Sequence, residues 1–170
     1  MTRLAAAAIA LPACLALAAC SAPVAGPAGT AEPPLVARLF LEVAPGEAGV
    51  PAVLPRSGVT VVVSPRPVVV EYDIANAEVV QVDLGLCLLV ELNAAAARDL
   101  HRLSVASVGR RLVLSLDDRF VGARPIDGAM ADGALLTFVE LPDAELPALV
   151  ARLKKTSAEL AAAAKKAGRS

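Results

Sequence analysis

The sequence predicts an α+β domain, a two-layer sandwich in which a mostly antiparallel sheet is covered by two main helices. Three observations carry that expectation. Short runs rich in Val, Leu and Ile alternate apolar with polar positions, the period of two that a half-buried strand requires. Two later segments, after Asn93 and from near Asp143, instead repeat apolar residues at intervals of three and four, as a helix buried on one face does. Compact turn sequences, Asp83-Leu84-Gly85 and Asp117-Asp118-Arg119, join strand-like runs directly, which suits antiparallel neighbours.

The first segment of the 170 residues stands apart from that domain. Thr2 and Arg3 make a minimal positive start, Leu4 to Ala16 an apolar run, and Leu17-Ala18-Ala19-Cys20 has the form of a bacterial lipobox. Residues 1–19 are therefore expected to be a lipoprotein signal peptide, with Cys20 the lipid attachment site and first mature residue. The product is then anchored to a membrane through its N-terminal lipid and does not span it. A transmembrane helix needs about 20 apolar residues. This run is shorter, contains Pro12 and meets no stop-transfer cluster before Arg38. Residues 20–34, from the lipidated cysteine through an almost unbroken Ala/Pro/Gly stretch, cannot bury a core and form a semi-extended tether. Ser21 after the acylated cysteine favours the outer membrane over the inner under the enterobacterial sorting rule, with the domain facing the periplasm.

The folded domain is expected over 35–155. Leu39, Leu41 and Val43 alternate with Arg38, Phe40 and Glu42 in a first strand, Leu35 to Val43. Pro/Gly punctuation separates it from a β-branched run, Val59 to Val63. Glu78 to Asp83 and Leu86 to Leu92 flank Asp83-Leu84-Gly85 as a hairpin, whose second arm is apolar on both faces apart from Glu91 and so belongs at a sheet centre. Asn93 caps a helix that runs to Gly109 with Ala96, Leu100, Leu103 and Ser107 on its buried stripe. Leu112, Leu114 and Leu116 mark another strand, which turns at Asp117-Asp118-Arg119 into Phe120 to Ala123. Ala134 to Glu140 makes the last strand. A helix from near Asp143 turns Leu146, Leu149, Val150 and Leu153 toward the sheet, and an Ala/Lys-rich, solvated tail occupies 156–170.

Composition excludes several classes of function. The chain carries 16 Lys+Arg against 17 Asp+Glu, and loss of Arg3 with the signal leaves 15 against 17, so no basic surface calls for nucleic acid. After Cys14 leaves and Cys20 takes lipid, Cys87 is the one remaining thiol, which rules out an intramolecular disulfide. Within Leu86-Cys87-Leu88-Leu89-Val90 it reads as a small buried hydrophobe. His101 is the single histidine and has no second ligand at metal spacing. Asp117 and Asp118 are adjacent on a turn, where Asp serves local hydrogen bonding, and point apart. No dinucleotide, phosphate-loop or nucleophile-elbow pattern occurs. The sequence thus offers no catalytic residue, no metal site and no cofactor, and argues against an enzyme.

The residues from Leu92 to Ile126 carry a resemblance. Leu92-Asn93, Ala96-Ala97, Leu100, Leu103-Ser104, Val108-Gly109-Arg110-Arg111-Leu112, Leu114, Leu116-Asp117, Ala123 and Ile126 follow one another without gaps in the spacing of the head of the first periplasmic domain of the SecD family of protein-export subunits. Pro67, Asp73-Ile74 and Ala77 fit upstream, and Gly133 with the closing helix downstream. Residues 60 to 155 are covered. Asp118 stands where the family has a hairpin glycine, and the proline of its Ala-Pro pair falls one place late, at Pro125. The resemblance implies an α+β head and a surface for an exported polypeptide. It implies no motor, since the family's proton-driven helices have no counterpart here. Together these readings describe a non-enzymatic envelope lipoprotein that binds extended polypeptide or a protein partner through an exposed sheet edge. The alternative is a structural lipoprotein docked permanently on an envelope complex.

Overall fold

The computed structural model describes residues 33–167; the expected signal peptide, Cys20 and all but the last two tether positions lie outside the described residues. Pro33–Ser170 forms one compact unit. Eight strands and two helices follow the order β1 (Ala37–Glu42), β2 (Val50–Val53), β3 (Thr60–Val69), β4 (Ile74–Val82), β5 (Gly85–Leu92), α1 (Ala94–Ala106), β6 (Arg111–Leu116), β7 (Arg119–Pro125), β8 (Ala134–Thr137) and α2 (Leu146–Ala167). The fold is α+β, with every strand pair antiparallel.

The strands divide between two sheets, β2-β3-β1-β6-β7 and β4-β5-β8. The division falls at Val70, where the chain leaves β3. Asp73 Oδ2 accepts from the Val70 N–H at 3.0 Å and the Asp73 N–H donates to Val70 O at 2.9 Å, closing a single 3-10 turn that redirects the chain into β4. The inner faces of both sheets and both helices meet in one core. Leu39, Leu41, Leu112, Leu114 and Leu116 come from the larger sheet, Leu88, Val90 and Leu135 from the smaller, and Leu100, Leu146, Val150 and Leu153 from the helices.

Strand β6 is buried from Leu112 to Leu116 because its two faces meet different clusters. The leucines face the main core. Val113 faces a second cluster of Ala52, Leu54, Val61 and Val63, against which Phe40, Phe120 and Ala123 pack. This second cluster was not foreseen from the alternation in β1, which assigned Phe40 to a polar face. It arises because the β2–β3 hairpin bends back as an arm over the outer side of its own sheet. In the β1–β3 register, Phe40 pairs with Pro67 and Glu42 with Val63, so two steps along β1 correspond to four along β3. The surplus around Ser64–Arg66 bulges and bends the strand. Pro65 and Pro67 are tolerated inside β3 at this irregularity, where the ladder is already interrupted, and β3 therefore outruns the five-residue strand expected.

Other boundaries shift for local reasons. β4 starts at Ile74, four residues before the expected Glu78, and β2 was not expected at all. Asn93 caps α1 as foreseen, its Oδ1 accepting from the Ala95 and Ala96 N–H groups at 3.0 Å each. The helix stops at Ala106, before Gly109, when the Ser107 N–H turns to Ser104 O at 3.2 Å. Gly109, at φ +86°, instead shapes the connection to β6. Asp117 and Asp118 form the β6–β7 turn with φ of +45° and +61°, the left-handed pair that a tight hairpin needs. The last strand ends at Thr137 and not Glu140. Helix α2 follows a 3-10 turn at Asp143–Glu145 and continues through the expected tail to Ala167. Packing does not stop at Lys155, because Thr156 and Ser157 are buried and Thr156 Oγ1 accepts from the Leu35 N–H at 3.0 Å.

Candidate docking surface

The residues that chemistry singled out stay apart. Cys87 is fully buried on β5, where its Sγ donates to Val80 O at 3.3 Å and burial pushes its thiol pKa up. His101 lies half-buried on α1. Asp117 Oδ1 accepts from the Val36 N–H at 3.0 Å and its Oδ2 sits 3.4 Å from Arg152, so the residue ties strand ends together. Among the described residues no cluster of three or more His, Cys, Asp or Glu is arranged to hold a metal. Among them, too, no helix is long and apolar enough to cross a membrane.

What remains is surface, and the sheet edges decide what it offers. The β7 and β8 edges close on one another. Arg124 Nη1 donates to Leu136 O at 3.1 Å, the Glu140 N–H donates to Val121 O at 2.6 Å, and a Cβ on Gly122 would lie 2.3 Å from Phe138 O. The β4 edge is flanked by α2. The Leu92 N–H bonds to Gly133 O, which turns Leu92 away from β4; by strand alternation Ala77, Val79 and Gln81 then direct their main-chain groups outward. Ala77 is nonetheless only 1% exposed, and Lys154 Nζ on α2 lies 3.6 Å from Glu78.

The β2 edge is open but poor in donors. The Leu54 N–H donates to Val59 O, and Val62 O accepts from the Val43 N–H on its other side. Leu54 therefore faces β3, and alternation turns Pro51, Val53 and Pro55 outward. Two of those three are prolines without an N–H, so Val53 is the single donor of that row. Prolines at an edge are a recognised device against strand addition. Among the described residues the β7 and β8 edges close on one another, the β4 edge lies beside α2 and the β2 edge is short of donors, so the edges offer less to an added strand than the expected strand addition would use.

The outer face of the arm is the better candidate. Its inner residues Ala52, Val61 and Val63 are buried, whereas Val53 and Val62, which alternate with them, are 55% and 40% exposed on the outer side; Val50 and Val59, of the inner parity, are 44% and 42% exposed where the arm ends. Beside Val62 lies a cleft of about 390 Å³ lined by Val43, Thr60 and the Arg110–Arg111 corner. Its charges are satisfied internally. Arg111 forks onto Glu42 with both contacts at 3.0 Å, and Arg110 Nε donates to Glu42 O at 2.6 Å. At the arm's tip Glu140 Oε2 accepts from the Arg56 and Ser57 N–H groups at 2.8 Å each. Burial raises the Glu140 pKa, but the hydrogen bonds from Ser57 and Arg56 and the Arg56 charge outweigh it and hold the carboxyl below its ordinary value. Sequence reading missed this surface. The signal was present in the Val-Pro-Ala-Val and Val-Thr-Val-Val-Val runs, whose alternate members cannot all be inward.

No family model matches the chain, and no curated protein matches it in sequence. Solved structures do match in fold. One, described as "Structure and function of a membrane component SecDF that enhances protein export", superposes with TM-score 0.55 at 16% identity over 71% of this chain and 62% of that one. Another, "Crystal structure of SecDF in Super-membrane-facing form", gives TM-score 0.56 at 17% identity over 70% of this chain and 18% of that one. The chain therefore spans less than two thirds of either, and at these identities the likeness is one of fold.

Proposed function

We propose that this protein is a non-enzymatic envelope lipoprotein, held to the membrane at Cys20 and facing the periplasm, whose SecD-head-like domain binds an extended polypeptide or a protein partner. The observation that carries the reading is the outer face of the β2–β3 arm, where Val53 and Val62 are left 55% and 40% exposed, with Val50 and Val59 also exposed at the arm's ends. Such a patch is small. It falls well short of the roughly 800 Å² per partner of a standard stable interface, which suits a short extended segment better than a large globular surface. With the β2 edge short of donors, affinity comes from apolar side-chain contact along the arm more than from a main-chain ladder. The SecDF fold likeness supports a role connected with protein export, and the lipobox supports the anchor.

The test is a titration of the full chain in detergent with a permanently unfolded polypeptide. Weak binding that is lost in Val53→Asp and Val62→Asp variants supports the reading. Absence of binding, together with one stoichiometric partner co-purifying from solubilised envelope, favours permanent docking on an envelope complex instead.

A further inference from the structure

A second surface, remote in sequence from the arm, is built differently. Ala94, Ala97, Arg98, His101 and Arg102 follow the spacing of a single helical face on α1, and with Ala131 they line a cleft of about 560 Å³. The wall carrying Ala131 is pinned. The Met130 N–H donates to Ser104 Oγ at 2.9 Å in a buried contact, and the same hydroxyl donates to His101 O at 2.9 Å. Gly133 meets Ala97 so closely that a Cβ there would lie 2.6 Å from the Ala97 methyl. The alanine methyls thus form a trough whose width is set by the fold and not by mobile side chains.

The polar rim is cationic and incompletely paired. Arg102 pairs with Asp99 on its own helix, while Arg98 makes no ion pair among the described residues. His101 Nδ1 is buried and has no hydrogen-bond partner there. No Phe, Tyr or Trp lines the cleft, and His101 is its one ring. An apolar floor beside two guanidiniums complements a small amphiphile, with the stem on the methyls and an anion on the arginines. We propose that this cleft binds an anionic head group, phosphate or carboxylate, carried on a short apolar stem. The proposal stands independently of polypeptide binding at the arm.

The compact unit Pro33–Ser170 contains both apolar clusters and serves as the test protein. Hexyl phosphate is titrated against it by methyl and imidazole NMR, beside hexyl glucoside, which has the stem without the charge, and inorganic phosphate, which has the charge without the stem. Saturable shifts confined to the Ala94, Ala97 and Ala131 methyls and the His101 ring are expected with hexyl phosphate. Affinity should fall about tenfold in the Arg98→Gln/Arg102→Gln double variant, as loss of charge-assisted hydrogen bonds requires. Ala94→Leu, at an exposed position, should block the trough while keeping both charges, and the unfolding midpoint should stay unchanged in both variants. Equal binding of hexyl glucoside or of inorganic phosphate overturns the proposal, as does lack of saturation by about 10 mM, weaker than a useful site. Retention on phosphatidylglycerol vesicles but not phosphatidylcholine vesicles, lost in the double variant, assigns the head group to a lipid surface. Hexyl phosphate binding without vesicle retention assigns it to a free amphiphile; both results support the site.

Discussion

Gly122→Ala should open the seam that joins the two sheets. Gly122 is buried on β7, and a Cβ built on it lies 2.3 Å from Phe138 O, 3.2 Å from Thr137 Cγ2 and 3.3 Å from the Phe138 carbonyl carbon. Two of these are backbone atoms, which cannot rotate away. The segment after β8 must therefore shift outward by the better part of an ångström. Overpacking of this kind costs about 1–3 kcal/mol. The same shift strains the Glu140 N–H bond to Val121 O and the Arg124 bond to Leu136 O, each contributing about 0.5–1.5 kcal/mol. A loss of roughly 2–6 kcal/mol follows, enough to lower Tm by at least about 6 °C in a domain of this size. Thermal and urea unfolding measure it. Gly128→Ala is the control, because nothing lies within 4 Å of its added Cβ and its φ is not positive. Equal stability of the two variants would refute the closed seam and reopen β7 and β8 as docking edges.

Three further outcomes follow from other parts of the molecule. Because the Glu140 carboxyl is held below its ordinary value, its contribution to the arm is complete above pH 4.5, the ordinary value, and is lost as pH falls through the lowered folded value; the Arg56 and Ser57 amide resonances should report that transition, and Glu140→Gln should abolish it. A transition above the ordinary carboxylate value would contradict the latch. The Cys87 thiol, buried and with a raised pKa, should react slowly with thiol reagents until denaturant is added, and rapid native labelling would mean that the centre of the smaller sheet is open. Cys20→Ala should release the protein from membranes or leave it unprocessed, and unchanged fractionation with retained fatty-acid labelling would refute lipid attachment at that residue.

Much of the fold was legible because local chemistry and tertiary packing agree. Asn93 announces α1 by its side-chain oxygen, and the leucines of β6 announce a core face by alternation. Asp117-Asp118 announces a turn, although only the backbone reveals that both residues occupy the left-handed region. The arm was illegible for a physical reason. Its bend depends on a register slip between β1 and β3, a relation between distant residues that neither strand's pattern contains. Pro51, Pro65 and Pro67 also read as breaks in a linear scan, whereas one sits on an edge and the others at a bulge. The division into two sheets hinges on the short Val70–Asp73 turn, too brief to register as an element. The α1 cleft had visible members in Arg98, His101 and Arg102, but Ala131 reaches them only through the Ser104–Met130 contact.

Site-specific photocrosslinking in intact cells tests most directly whether the arm's outer face is the docking surface. A photoreactive side chain at Val53 or Val62 should capture polypeptides. The same group at Val105, an apolar residue 58% exposed on α1, should capture none. Equal capture at all three positions, or capture at Val105 alone, would contradict the account.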